Sequence, residues 1–194
     1  GSDQIYFEST NTIHDYNTQF NNQTQTIINS GRILVYNLET GDLDFQVYHT
    51  QTYPLIPEVS GQRYGGRFGS SVYAEDDGFI SVSCLEGSYA VGGKAIIVVS
   101  KFSWNHGSEI WTWKSTDDQV LNSSSSNIVY DVKDGAMAIW HDHAGGYLWV
   151  LDTSTGTLVF GGDSNQNDAH AVGVGDGTVL IGRHNGIMTR FDVD

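Results

Sequence analysis

His141-Asp142-His143 is the one local group in this chain with obvious chemical potential. Residues two apart on an extended strand point the same way, so both imidazoles can converge on one ion such as Zn²⁺. His170 and His184 are the residues available to complete a shell. The plainer reading is that two histidines at a strand end are ordinary polar residues near solvent, since no carboxylate or cysteine stands at a recognised ligand spacing. The expectation is therefore no cofactor, with a divalent metal on His141, His143 and His170 as the alternative. A second set is chemically different. Tyr53, Arg63, Tyr64, Arg67, Tyr89, Arg183 and His184 fall in or beside the longer connections between apolar runs. Tyr and Arg are the side chains favoured where proteins recognise partners, and loops on a rigid frame usually carry them. These seven are the candidate ligand-binding residues.

The elements that must position them are strands. Four runs of alternating apolar residues, at about 70–75, 79–85, 94–102 and 109–114, are separated by glycine-rich turns. Alternation with period two puts every second side chain on one face, which predicts half-buried strands joined in an antiparallel meander. The plan recurs. A strand–Asp-Gly–strand hairpin is written at 72–80, 129–137 and 172–179, and Asp-Gly suits the positive φ of a type I′ turn. A later hairpin is written at 31–46, 93–114 and 146–161, with a short Thr-Gly turn in two copies and a longer Asn-His-Gly connection in the third. A further copy starts at Gly186.

The fold expected is all-β: a single domain over 1–194, a small β-propeller of four four-stranded antiparallel blades. The blades fall at about 12–50, 67–116, 126–162 and 168–194. The last has only three strands, and the N-terminal segment 4–8 is expected to close it, which would remove exposed sheet edges. An open fragment of a larger propeller and a β-sandwich are the competing architectures.

Composition narrows the partners. The chain has 194 residues with 39% apolar content, 23 glycines and two prolines, which suits a packed core with many tight hairpins. A net charge of −14 repels phosphate backbones and anionic bilayers, so nucleic acid is excluded as a partner. No apolar run approaches the roughly 20 residues that span a membrane. The single Cys84 reads as a small buried hydrophobe, and Gly1-Ser2 as a vector remnant.

Arg67-Phe68-Gly69-Ser70-Ser71-Val72, followed by Asp77-Gly78-Phe79-Ile80-Ser81-Val82-Ser83-Cys84, resembles the FG-GAP repeat. The hairpins beginning at Gly31 and Gly146 resemble its later half and the related quinoprotein-type repeat. The likeness is to the FG-GAP-like repeats of marine bacteriophages and bacteria, and it implies a propeller used in adhesion or recognition. The chain departs from integrin-type repeats in its short turns at 75–78, 133–135 and 175–177, which cannot wrap a calcium ion with six or more oxygens. Asp163–Asp168 has Asp or Asn at alternate positions and is the better calcium candidate, against the plainer reading of a polar connection. Ser103-Trp104-Asn105-His106-Gly107 is similar to the Asp-box turn of sialidases, with Asn in place of Asp, and is read as a hairpin turn.

The functional expectation is a non-enzymatic recognition or adhesion module of a phage or secreted bacterial surface protein. It is extracellular or virion-associated, binding a glycan or protein through the long-loop face. A carbohydrate-active hydrolase or lyase on the same scaffold is the first alternative, and a structural spacer of a virion or appendage the second.

Overall fold

The computed structural model of the chain describes residues 4–9, 17–20, 24–28, 32–48, 51–54, 65–86, 94–115, 121–122, 128–141, 146–164, 169–183 and 185–193. Every regular element among them is a strand. The chain opens with β1 (Gln4–Ser9), β2 (Asn17–Phe20), β3 (Thr24–Ile28), β4 (Arg32–Asn37), β5 (Leu43–Tyr48) and β6 (Gln51–Pro54). There follow β7 (Gly65–Ala74), β8 (Gly78–Glu86), β9 (Lys94–Ser103), β10 (Glu109–Lys114) and the two-residue β11 (Leu121–Asn122). β12 (Ile128–Lys133), β13 (Ala136–His141), β14 (Tyr147–Asp152) and β15 (Leu158–Asp163) come next. Last are β16 (Ala169–Gly175), β17 (Thr178–Arg183) and β18 (Met188–Asp192). All pairings are antiparallel, as short hairpin connections require. The chain forms two compact units, Gly1–Ser123 and Ser124–Asp194.

In the first unit, the sheet β7-β8-β9-β10 reproduces the expected meander, and β11 extends the edge of β9 beyond β10. The other two sheets differ from expectation. Strands near 12–18, 24–29, 32–38 and 43–49 do not make one meander. β2 and β3 pair with β6 in their own sheet, while β4 and β5 pair with β1. The N-terminal strand therefore does not close the last sheet; its register runs from Gln4 opposite Asn37 to Ser9 opposite Arg32. The cause lies in the missing Asp-Gly hairpin. In the other sheets that hairpin supplies the neighbour of the third strand, but the polar 12–29 segment has none, which leaves the side of β4 open. Pairing there also closes a far shorter loop than pairing with β18, which favours it by roughly 1–2 kcal/mol. The core of this region joins Ile33, Val35 and Val47 to Phe79 and Phe102, with Phe45 and Trp104 packed against it. Gly107 fits where a Cβ would stand 2.8 Å from the Phe45 ring, so the Ser103–Ser108 turn lies directly on β5.

In the second unit, β12-β13-β14-β15 and β16-β17-β18 share one core. Alternation puts Ala138, Trp140, Leu148 and Val150 on one face, against Ala169, Val174, Val179 and Ile181 of the neighbouring sheet. The first strands of the two sheets lie side by side. Asp131 Oδ2 on β12 accepts the Val174 N–H of β16 at 3.0 Å. Lys133 runs past Gly175, so the two Asp-Gly turns stand at the same end. Asp134 and Asp176 take φ of 52° and 49°, the left-handed backbone read from their Asp-Gly sequences.

Candidate functional site

Each four-stranded sheet has two unlike ends. At one end the connections are tight and satisfy their own polar groups. Asn37, Ser103 and Asp152 each end a third strand and donate their N–H to Asp42, Ser108 and Thr157 at 2.9, 2.8 and 2.9 Å. The same three side chains fold back onto the turn. Asn37 Oδ1 accepts the N–H of Glu39 and Thr40, Ser103 Oγ that of Asn105, and Asp152 Oδ1 that of Ser154 and Thr155. The Asn-His-Gly connection is therefore no longer than its two Thr-Gly counterparts; all three turns are the same device. The hydroxyl of Ser154 and the turn amides hold the Asp152 carboxyl below the ordinary carboxylate range, against a small opposing effect of burial.

One tight turn carries a buried cation. Lys101, only 3% exposed, reaches Glu75 Oε2 at 2.6 Å and Asp77 Oδ1 at 2.8 Å across the β7–β8 turn. Burial alone would lower its pKa, but the bonds to Asp77 and Glu75 outweigh that and hold it above the ordinary lysine value. The Trp104 indole donates to the Glu75 carbonyl at 2.8 Å, tying the next turn to this one. The sequence signal was available: a lone lysine inside an apolar strand, with paired acids in the turn of the adjoining hairpin.

The opposite end is where chain must travel from sheet to sheet, and buried serines fix its base. Ser164, the residue after β15, donates its hydroxyl and its N–H to the Gly146 carbonyl at 2.7 and 2.8 Å. The same hydroxyl accepts the Trp140 indole N–H at 3.2 Å. Gly146 starts β14 and Ser164 precedes β16, so one side chain pins both connections of this end. Ser115, the residue after β10, does the same in the first unit: its Oγ accepts the Ile97 N–H at 3.1 Å and its N–H meets the Ile97 carbonyl at 3.0 Å. Neither serine was singled out by sequence; the signal that exists is a small polar residue directly after each fourth strand.

The predicted residues distribute as follows. His141 is at the end of β13, fully buried, opposite Ile128 and Tyr147. It is a core-end residue, not the solvent-side histidine that the plainer reading expects. The Tyr147 ring stacks at 4.7 Å on Trp149 beside it. His170 sits at the irregularity of β16 between Ala169 and Ala171, where a bulge interrupts the pairing with β17. Arg183 ends β17 opposite Ala169, half-buried, at the same end of this unit. Tyr53 lies within β6 opposite Gln25, and Arg67 within β7 opposite Cys84, so both belong to strands and not to a connecting loop. Arg63, Tyr64, Tyr89, His143 and His184 lie outside the described residues, as do Asn165–Asp168 of the calcium candidate. Of that segment Ser164 is accounted for by its bonds to Gly146 and Trp140. Among the described residues no three His, Cys, Asp or Glu side chains gather as a metal site would need.

No protein-family model and no curated protein matches the chain. Among solved structures it is similar to the computationally designed Ika4 protein, at a TM-score of 0.48 and 17% identity over 91% of this chain and 89% of that one. It is similar to BamB from Moraxella catarrhalis at a TM-score of 0.36 and 13% identity, over 89% of this chain and 55% of that one. The computationally designed Ika8 protein matches at a TM-score of 0.37 and 15% identity, over 91% of this chain and 70% of that one. Each TM-score lies below 0.5, and the fold is argued from the chain's own sheets.

Proposed function

We propose that this chain is a non-enzymatic recognition module, an FG-GAP-like β-propeller that binds a glycan or a protein through its sheet-to-sheet connections. The observation that carries the reading is the contrast between the two ends of the sheets. One end is consumed by its own hydrogen bonds, through Asn37, Ser103 and Asp152. The other end has bases fixed by Ser115 and Ser164, and from them spring the segments that hold Tyr64, Tyr89, His143 and His184. A rigid frame with anchored connections rich in Tyr, Arg and His is what low-entropy-cost recognition asks for. The side-by-side first strands β12 and β16 support the propeller reading, because blades meet through their innermost strands. A cell surface or a virion is the setting that this reading implies.

The test is a glycan array and a protein pull-down, run beside hydrolase and lyase assays on whatever is retained. Replacing Tyr64, His143 and Arg183 by Ala is expected to abolish retention with the melting temperature nearly unchanged, since exposed loop positions usually cost under about 0.5 kcal/mol. Replacing Glu39 and Lys133 in the tight turns is expected to leave retention intact. Turnover of a retained glycan, or retention that survives the triple substitution and fails in the turn variants, overturns the reading.

A further inference from the structure

The last sheet has an edge that its sister sheets do not. Third strands β4, β9 and β14 are each paired on both sides, whereas β18 is paired only with β17 among the described residues. The equivalence is residue by residue. Thr153 donates its N–H to the Gly135 carbonyl at 2.8 Å, and Val193 donates its N–H to the Gly177 carbonyl at 2.9 Å. Asp192 therefore stands where Asp152 stands. Asp152 sends its N–H outward to Thr157 and its carboxylate into the turn. Asp192 instead turns its carboxylate onto Arg190, at 3.0 Å from both Nε and Nη2.

The direction of the open groups follows from alternation. Val193, Phe191 and Thr189 share one parity, and the Val193 N–H points to β17, so the N–H and C=O of Met188, Arg190 and Asp192 point the other way. An apolar rim borders them, with Met188 66%, Ile187 50% and Leu180 39% exposed. Such an edge is a template for strand addition. We propose that Met188–Asp192 is a strand-acceptor site that takes an extended segment of a separate polypeptide as the fourth strand of its sheet. The sister sheets state what that segment looks like. Their fourth strands carry Phe45, Trp111 with Trp113, and Phe160, and each pairing bears an irregularity in its first residues. Phe160 packs on the same core that holds Phe191 and Val193. The occupant is an antiparallel strand with an aromatic residue near its middle. This site stands apart from the loop end and does not rest on the glycan or protein reading.

The probe is a labelled synthetic peptide with the sequence of Thr157–Asp163. It is expected to bind saturably and to slow amide exchange at Met188, Arg190 and Asp192, leaving Thr189 and Phe191 as they were. Arg190→Pro removes one outward N–H without touching a β17 bond, a substitution edge strands tolerate, and is expected to weaken binding by about tenfold or more. Arg190→Ala, which loses only the ion pair, is expected to bind. The peptide N-methylated at alternate amides separates loss of pairing from a misfolded variant, because it leaves the protein unchanged; its two registers are expected to differ, one binding and one silent. Three outcomes overturn the proposal: no saturable binding, protection of the three amides before peptide is added, or protection that appears only with rising protein concentration. The second would assign the edge to the chain itself and the third to another copy.

Discussion

Ser164 is the residue on which the loop end most depends, because one hydroxyl serves two buried partners. Ser164→Ala orphans the Trp140 N–H and half-frees the Gly146 carbonyl, which is expected to cost about 1–3 kcal/mol in denaturant unfolding. Glu75→Ala leaves the buried Lys101 ammonium with Asp77 alone, and is expected to cost about 1.5–3 kcal/mol in the same measurement. Asp152 makes a pH prediction. Its folded-state pKa is depressed, so its contribution is present above the unfolded carboxylate pKa and is lost as pH falls through the folded value. Asp152→Asn is therefore expected to flatten the acid limb of the stability curve, leaving its neutral region alone. The sequence announced the residues whose backbone demands are local: Asp134 and Asp176 were legible because Asp-Gly names a turn without reference to the rest of the fold. Lys101 and Ser164 were not singled out, since their partners lie 26 and 18 positions away and periodicity says nothing of them.

At the scale of elements, strand positions were more legible than strand partners. The hairpins from β7 to β10 and from β12 to β15 follow from alternation and short turns, because consecutive strands joined tightly have no other neighbour. β1 was legible as a strand, yet any open edge of suitable register can accept it, and it pairs with β4. Deleting residues 1–9 is accordingly expected to raise amide exchange in Ile33–Tyr36 and to leave Thr189 and Phe191 unaffected; the reverse pattern would restore closure of the last sheet. The three equivalent turns also differ in what surrounds them. Gly41 and Gly107 both have left-handed backbone, φ 75° and 67°, but only Gly107 lies against Phe45 and Val47. Gly41→Ala is expected to cost about 1–2 kcal/mol for the conformation alone. Gly107→Ala adds overpacking, and its loss of melting temperature is expected to be clearly the larger.

For the whole molecule, composition excluded more than it identified. An acidic chain with a dispersed −14 charge and no helix long and apolar enough to cross a membrane is a poor match for nucleic acid, but many ligands remain. The repeats gave the all-β class because each hairpin is a local statement, while the route of the first 54 residues depends on which edges are left open elsewhere. Candidate binding residues were legible only as types in connections: Arg183 does stand at a strand end, whereas Tyr53 and Arg67 belong to strands. The central claim is that recognition belongs to the serine-anchored end of the sheets and not to the self-satisfied turns. Amide hydrogen exchange with and without a glycan or protein retained in the array tests it most directly. Protection is expected at the amides flanking 87–93, 142–145, 165–168 and 184–186, with none gained at 38–42, 104–108 and 153–157. Protection confined to those three turns, with the anchored end unchanged, would contradict the account.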